Sequence, residues 1–236
     1  MLILAMESSA KSASIAVCSD NNLLGQYYQN SGLTHSRTLL SMAESLLKNL
    51  DISVTEIGMI AVSRGPGSFT GVRIGVSAAK GLAWGLGKPV CGVSTLEAMA
   101  FQVPEQNDLL CPVMDARRGQ VYNALFQWQG EELIRLCDDR AISLEDLSSE
   151  LRDQYPHVSC ATGMQPGFLL MGDGAVISCE YLSSANISCR IAPELLLLQT
   201  AYGVALAAWR SEAVLPAAEL EPSYLRPSQA ERERRM

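Results

Sequence analysis

A tight turn between an apolar strand and a helix is predicted for the stretch Ser63-Arg64-Gly65-Pro66-Gly67-Ser68-Phe69-Thr70-Gly71-Val72-Arg73-Ile74-Gly75. Two glycines flank its proline and allow a sharp change of chain direction. Ser68 or Thr70 can cap the first amides of the helix that follows. Gly71 and Gly75 leave one side of that helix without side chains, which predicts a close contact there with another group.

The nature of that contact is open between an anion and a packed structural element. Amides and the helix dipole at a helix start favour an anion. However, the stretch lacks the Gly-Lys-Ser/Thr ending that would bring a lysine to a phosphate. Pro66 also stands where a G-x-S-x-G nucleophile turn has its first glycine. The residues therefore favour a structural turn or a contact surface, with an anion site as the alternative.

Composition predicts a globular protein rather than a membrane or nucleic-acid-binding one. The chain has 236 residues, 48% of them hydrophobic, and a net charge of −7. It has no run of about 18 apolar residues and only a short apolar start, so we expect neither a membrane span nor a signal peptide, and a cytosolic location. The negative charge opposes autonomous binding to RNA. The alternating charges of residues 231–235 are typical of a solvated helix face.

The cysteines show no pattern of a disulfide framework or a zinc site. Seven are scattered along the chain and none forms a C-x-x-C pair. We therefore interpret them as small core residues. They are Cys18, Cys91, Cys111, Cys137, Cys160, Cys179 and Cys189.

The first half reads as three strands followed by alternating helices and strands. Strands are predicted at 2–6, 13–19, 23–29, 57–62 and 90–93, and helices at 34–50, 70–84 and 96–102. The helix over 70–84 carries small residues at four-residue intervals: Gly71, Gly75, Ala79 and Ala83. A glycine inside a helix costs about 1 kcal/mol relative to alanine, so the stripe predicts a helix crossing at short range.

The second half repeats this order of elements, which predicts a duplicated α/β architecture. Strands are predicted at 109–114, 120–127, 132–137 and 158–161, a capped helix begins at Ser143, and another helix covers 193–208. The stretch 163–188 gives no clear pattern. We therefore predict a first lobe over 1–104, a second over 105–212 and a tail over 213–236. Whether the tail returns to the first lobe stays open.

Few side chains suit catalysis. His35 and His157 are the only histidines, and Leu39 stands where a second metal-binding histidine would complete an i, i+4 pair with His35. A lone histidine on a helix is more often packed or capping than catalytic. The segment from Asp115 to Tyr122 begins Asp-Ala-Arg-Arg, which is bulky for a phosphate-binding hairpin. Glu7 ends the first strand with no glycine beside it.

Several motifs together carry a family resemblance. The glycine-rich stretch 64–75, Lys80-Gly81-Leu82-Ala83, Gly92-Val93-Ser94-Thr95-Leu96, Asp115-Ala116-Arg117-Arg118-Gly119-Gln120-Val121-Tyr122 and Pro222-Ser223-Tyr224-Leu225-Arg226 closely resemble the bacterial TsaB (YeaZ) family of tRNA threonylcarbamoyladenosine biosynthesis proteins. The match is dense in the first half and sparse in the second. It implies a two-lobed actin-like ATPase and sugar-kinase (ribonuclease H-like) fold, with mixed sheets flanked by helices. In such proteins the first strand more usually ends in aspartate than in glutamate.

The resemblance implies a noncatalytic subunit. Its partners would be the catalytic paralogue TsaD and the ATPase TsaE, in transfer of threonylcarbamoyl from threonylcarbamoyl-AMP to N6 of the tRNA adenosine beside the anticodon. It would form a homodimer when TsaD is absent and meet tRNA only through the complex. It would hold no catalytic residue, metal or cofactor alone, with an adenine nucleotide as an option at the partner interface.

The resemblance also implies a helical bundle as the interface, built from the two first-lobe helices. The residues assigned to it are His35, Leu39, Met42, Ala43, Leu46, Val72, Gly75, Val76 and Ala79. An active kinase or ATPase of the same fold is the alternative, and it predicts nucleotide affinity in the isolated chain. A protease acting through His35 or Ser68 is a further, weaker alternative.

Overall fold

The computed structural model describes residues 1–159 and 167–226, which divide into two units. Unit 1 contains Met1–Gln102 and the chain from Gln199 onward, and unit 2 contains Val103–Leu198. Cys160 and the charged run 231–235 lie outside the described residues. None of the described helices is long and apolar enough to cross a membrane.

Strands and helices alternate along both units. The strands are β1 (Leu2–Glu7), β2 (Ala13–Ser19), β3 (Asn22–Gln29), β4 (Met59–Ser63), β5 (Val90–Val93), β6 (Leu109–Arg117), β7 (Gln120–Asn123), β8 (Phe126–Gln129), β9 (Glu132–Arg135), β10 (Arg140–Ser143), β11 (Phe168–Met171), β12 (Cys189–Ile191) and β13 (Val214–Leu215). The helices are α1 (His35–Asn49), α2 (Phe69–Leu86), α3 (Thr95–Phe101), α4 (Leu144–Gln154), α5 (Pro156–Ser159), α6 (Ala175–Ser184), α7 (Glu194–Leu197) and α8 (Ala201–Arg210). Short 3-10 helices lie at Val54–Glu56 and Ala217–Glu219.

Unit 1 is a mixed sheet in the order β13-β5-β4-β1-β2-β3. β2 runs antiparallel to β1 and β3, while β4 is parallel to β1 and β5. Because apolar residues occupy both faces of β1, this strand needs a helical layer on each side. Leu4 and Met6 pack in the cluster that holds Leu39 of α1 and Val76 of α2. On the same sheet, α8 contacts β1 and β2 and packs against α3.

Unit 2 repeats this arrangement in the order β10-β7-β6-β11-β12. Here β7 runs antiparallel to β10 and β6, as β2 does to β3 and β1, while β11 is parallel to β6 and β12, as β4 is to β1 and β5. The predicted duplication is therefore confirmed at the level of sheet topology. β8 and β9 add a hairpin beside β6. The core lies where Leu147 of α4 and Leu182 of α6 meet Val113, Phe168 and Leu170.

Three element predictions in the second half are wrong. The strand predicted over 120–127 is interrupted at 124–125, so that β7 and β8 are separate strands. The segment predicted as a strand at 158–161 starts inside α5, where a proline at the first helical position favours a helical turn; residues 160 and 161 lie outside the described part. The helix predicted over 193–208 is two helices, because Leu198 is extended and Thr200 caps α8 through the amide of Gly203. Pro193 caps only the short first one.

The structure also differs from the prediction at the point where the chain leaves the second lobe. Residues 199–212 were assigned to the second lobe, but they belong to unit 1. The reason is packing: a Cβ on Gly203 of α8 would overlap the carbonyl oxygen of Ala98, so α8 lies directly on α3. The described part of the tail also returns to unit 1, where β13 pairs with β5.

Candidate partner-docking site

The glycine turn is the junction of β4 and α2, as predicted. Gly65 has φ of +118°, and the Gly65–Pro66 peptide bond is cis. Ser68 is the N-cap, since its hydroxyl accepts a hydrogen bond of 3.3 Å from the amide of Gly71. The amide of Ser68 donates to the carbonyl of Ser9 at 2.6 Å. These amides at the start of α2 thus donate hydrogen bonds to acceptors within the chain.

The inward glycines of this stretch admit the chain's own β1–β2 connection. A Cβ on Gly67 would overlap the carbonyl oxygen of Ser9, and one on Gly71 would overlap that of Ser8. The Ser8 hydroxyl donates to the carbonyl of Gly71 at 2.9 Å. A Cβ on Gly75 would stand 2.5 Å from the same hydroxyl. The predicted close approach is correct, but its occupant is residues 8–9 rather than a second protein.

The motif of residues 222–226 in the tail packs against the other side of the turn. A Cβ on Gly65 would overlap the carbonyl oxygen of Ser223, whose amide donates to the carbonyl of Arg64 at 2.6 Å. Tyr224 stacks on Phe69 with ring centroids 4.8 Å apart. The sequence contains both motifs, but no local pattern predicts that they contact each other, because about 150 positions separate them.

Two further contacts fasten the tail to α2. The Arg73 guanidinium lies over the Phe69 ring at 3.7 Å and donates to the Tyr224 hydroxyl at 2.7 Å. About two turns further on, the ammonium of Lys80 donates to the carbonyls of Ala218 and Leu220, both at 3.0 Å. The arginine and lysine of the family motif therefore have intramolecular partners in this chain.

A buried polar corner adjoins the turn. Glu7 is fully buried, and burial raises the pKa of its carboxyl group, although Ser63 and Ser9 act in the opposite direction. The amide of Ser9 donates to one carboxyl oxygen of Glu7 at 2.5 Å. His35 lies beside this corner, with Nε2 2.7 Å from the carbonyl oxygen of Ala10. Leu39, at the second position of the absent metal pair, is a buried core residue. Within residues 1–159 and 167–226, no group of three or more histidine, cysteine or acidic side chains is arranged to hold a metal ion.

Most residues assigned to the interface lie in the core of unit 1. Leu39, Ala43, Leu46, Val72, Val76 and Ala79 are at most 4% exposed and belong to one apolar cluster with the sheet. Gly75 is buried against Ser8. Met42 and His35 are half-buried. The sequence assignment therefore selected the inward faces of α1 and α2, since apolar periodicity marks the core-facing side of any helix.

The outward side of α1 and α2 carries an apolar surface, which we call the α1–α2 face. Of the residues assigned to the interface, His35, Leu39 and Ala43 line its grooves. One groove of about 660 Å³ lies between the helix starts and is lined by Leu40, Phe69, Ile74 and Ala78 among others. A second, of about 500 Å³, lies between the later turns and is lined by Leu40, Leu47 and Leu82 among others. Leu40 borders both grooves and is 49% exposed.

Glycines without an intramolecular contact lie on the outer side of α2. A Cβ on Gly81 or Gly85 would meet nothing within 4 Å in the part of the chain that the structure describes. Both residues are exposed, and Trp84 between them is 71% exposed. Each glycine costs the helix about 1 kcal/mol relative to alanine without a compensating contact in this chain. The sequence does not distinguish this outer pair from the buried pair, because the glycines of both pairs are four residues apart.

The other sequence candidates belong to unit 2. His157 is an exposed residue of α5 in unit 2. Asp115 lies at the β6–β7 turn, where its carboxylate accepts from the amide of Arg117 at 2.7 Å. Arg117 and Arg118 have φ values of 67° and 58°, a left-handed conformation that is unusual for residues with side chains. This turn differs from a glycine-rich phosphate hairpin.

Three comparisons with known proteins agree. The model of the family described as TsaD, tRNA N6-adenosine threonylcarbamoyltransferase, matches residues 29–231. The tRNA threonylcarbamoyladenosine biosynthesis protein TsaB of Bacillus subtilis is 36% identical over 154 residues, 65% of this chain and 67% of the relative. TsaB of Escherichia coli is 32% identical over 211 residues, 82% of this chain and 88% of the relative.

A solved structure shows the same architecture over nearly the whole chain. It is a Pseudomonas aeruginosa protein described as similar to the peptidase YeaZ, with a TM-score of 0.77 and 27% identity, covering 95% of this chain and 99% of that one. Two mixed sheets of the same strand order, each flanked by helices, define the actin-like ATPase and sugar-kinase class of fold. The chain belongs to the TsaD family and, within it, to the TsaB (YeaZ) group.

Proposed function

We propose that this chain is the noncatalytic partner subunit of a tRNA threonylcarbamoyl transferase, docking on a TsaD-type subunit through the α1–α2 face. Membership of the TsaB group supports a part in the biosynthesis of threonylcarbamoyladenosine in tRNA. In this role the chain would hold the catalytic subunit in its active form, while TsaD carries out the transfer to the adenosine.

The chemistry of the polar corner supports a noncatalytic role. Carboxylates bind metal ions in their ionised form, and histidines bind them as neutral imidazoles. Burial disfavours the ionised form of Glu7, which is the form that binds a metal ion. Leu39 supplies no ligand at all. These residues fit a packed corner better than a metal centre.

The exposed glycines of α2 carry the docking part of the proposal. A partner helix that crosses at Gly81 and Gly85 could approach the α2 backbone closely, and its contacts would offset the cost of both glycines. Trp84 of α2 and Leu40 of α1 provide large exposed apolar surfaces, which is the usual composition of an interface centre.

A TsaD-type subunit is the occupant that these observations favour. The TsaD family model covers residues 29–231 and thus includes both α1 and α2, so the partner possesses counterpart helices. Two such pairs, each with an apolar outer side, can pack together as a bundle. A second copy of this chain offers the same helices, and we propose it as the occupant when TsaD is absent.

The test replaces one exposed glycine and measures association. We expect Gly81→Arg to abolish co-elution with the TsaD of the same organism in size-exclusion chromatography with light scattering, because the arginine would fill the crossing point. Ser45→Arg is the matched control, since Ser45 is an exposed residue of α1 and has no part in the proposed crossing at Gly81 and Gly85. Circular dichroism should be unchanged for both. Undiminished association of the Gly81→Arg variant would refute this docking face.

The proposal also covers the role of TsaE, the binding of a nucleotide and the location of the protein in the cell. We propose that TsaE joins the pair, that tRNA is met only through the complex, and that the chain acts in the cytoplasm. An adenine nucleotide would bind at a surface completed by the partners rather than by this chain alone. Calorimetry of the isolated chain with Mg-ATP separates this from the kinase or ATPase alternative, which requires measurable binding.

A further inference from the structure

Two thiols of unit 2 lie side by side at the edge of its sheet. Cys179 belongs to α6 and Cys189 to the edge strand β12, and their sulfur atoms are 3.5 Å apart. The Ser183 hydroxyl lies 3.6 Å from the sulfur of Cys189 and 4.0 Å from that of Cys179. Both cysteines are half-buried. Their sequence separation of ten residues gives no pattern that predicts a pair.

The backbone holds both thiols in place. Cys189 is in register with Phe168 of β11, and the Phe168 amide donates to the carbonyl of Ser188 at 3.0 Å. The connection from α6 is tied by the amide of Ile187, which donates to the carbonyl of Leu182 at 2.9 Å. Leu182 and Ile187 are core residues. The sulfur atoms therefore approach each other on a fixed framework rather than on a free loop.

We propose that Cys179 and Cys189 are a modification site that forms a reversible disulfide by exchange with a low-molecular-weight disulfide. One thiol loses its proton to solvent and attacks the small disulfide, which breaks the S–S bond of that reagent and releases one thiolate. The second cysteine, also deprotonated, then attacks the mixed disulfide and releases the other thiolate. The two released thiolates take up the two protons. The balance is two protein thiols and one small disulfide on one side, and one protein disulfide and two small thiols on the other.

The other described cysteines differ from this pair. Cys18, Cys91 and Cys111 are buried, and burial raises the pKa of the Cys111 thiol to about 12 and that of Cys18 to about 11. An attacking thiol must also reach the small disulfide, so burial is what separates these three thiols from the pair, since the pKa of Cys189 is raised as far as that of Cys18. Cys137 is half-buried like the pair and therefore serves as the reference for an ordinary accessible thiol.

The environment of the pair sets its kinetics. Burial is the main cause that raises the pKa of Cys189 to about 11, and the neighbouring Cys179 adds to it, while Ser183 opposes it. Because only the thiolate attacks, exchange at neutral pH is slow. The rate rises by close to tenfold for each pH unit below that pKa when this deprotonation is limiting.

The site has a structural consequence. A disulfide would join α6 covalently to β12, which is paired along the described chain only with β11. Opening of this sheet edge would then require α6 to open with it. We expect the amides of 187–191 to exchange with solvent hydrogen several-fold more slowly in the oxidised protein than in the reduced protein.

The experiment uses the full chain and oxidised glutathione. The reduced protein is incubated at pH 8 with an excess of oxidised glutathione, then alkylated and mapped by mass spectrometry. We expect Cys179 and Cys189 to lose alkylation together, as one peptide pair lighter by two hydrogen atoms, and to recover it with reductant. Cys179→Ser should leave Cys189 as a glutathione adduct or free thiol, and Cys137→Ser should leave the pair intact.

Two results would overturn the proposal. One is full alkylation of both cysteines after incubation; the other is that each carries glutathione, or links separate chains, without an internal bridge. Circular dichroism of the serine variants shows whether they fold, so a folding defect is not mistaken for the loss of the disulfide. The outcome is independent of the docking proposal, because association with TsaD involves unit 1 and is measured under reducing conditions.

Discussion

Gly71→Ala and Gly81→Ala are the same substitution on the same helix, and we expect them to change stability in opposite directions. At Gly71 the new Cβ would overlap the carbonyl oxygen of Ser8, a backbone atom that cannot rotate away. At Gly81 the new Cβ would meet no atom within 4 Å. Both residues lie inside α2, so the intrinsic helical preference for alanine applies to each.

The magnitudes follow from these two environments. Overpacking a closely packed site costs about 1–3 kcal/mol. Alanine gains at most about 1 kcal/mol over glycine in a helix. For Gly71→Ala the repulsion exceeds the helical gain, and we expect a net loss of about 1–2 kcal/mol. For Gly81→Ala only the helical gain applies, so we expect the free energy of unfolding to rise by about 0.5–1 kcal/mol.

Urea denaturation followed by circular dichroism measures the difference. With a denaturant slope of about 2–3 kcal/mol/M, the midpoints of the two variants should differ by about 1 M, with the parent protein between them. Gly85→Ala, which also lacks a neighbour, should behave like Gly81→Ala. Equal midpoints for the Gly71 and Gly81 variants would refute the assignment of inward and outward glycines.

Three further perturbations test the corner, the cap and the tail. Burial raises the pKa of Glu7 above its ordinary value of 4.5, so the folded chain keeps a proton that the unfolded chain releases. The free energy of unfolding therefore falls as pH rises from 4.5 towards the raised pKa. In thermal unfolding from pH 4.5 to 7, Glu7→Gln should remove that part of the pH dependence. Ser68→Ala should cost about 1 kcal/mol in urea unfolding through loss of the N-cap, whereas a Thr70→Ala control should cost little. Tyr224→Ala removes the stacking on Phe69, so limited proteolysis should cleave the tail several-fold faster, and an unchanged rate would contradict the packing described here.

Local patterns allowed much of unit 1 to be predicted. Apolar runs and turn residues located β1 to β5, and a serine or threonine at a helix start marked the caps of α2 and α3 correctly. The errors concern contacts between distant positions. Nothing near Ala201 states that α8 packs on α3, because that depends on Gly203 meeting Ala98 across about 100 residues. The neighbouring thiols of α6 and β12 were missed for a related reason, since only the pairing of β12 with β11 brings Cys189 to α6.

The glycines of α2 show what the sequence cannot predict about the docking site. Gly71 and Gly75 have one spacing along the helix, and Gly81 and Gly85 have the same spacing. The first pair faces Ser8 and is already in contact, while the second pair faces open space. A periodic pattern reports that a helix side is bare, not which neighbour covers it. Intramolecular packing accounts for the first pair, so only the second pair leaves an unexplained cost to the helix, and a partner that crosses there is the simplest way to offset it.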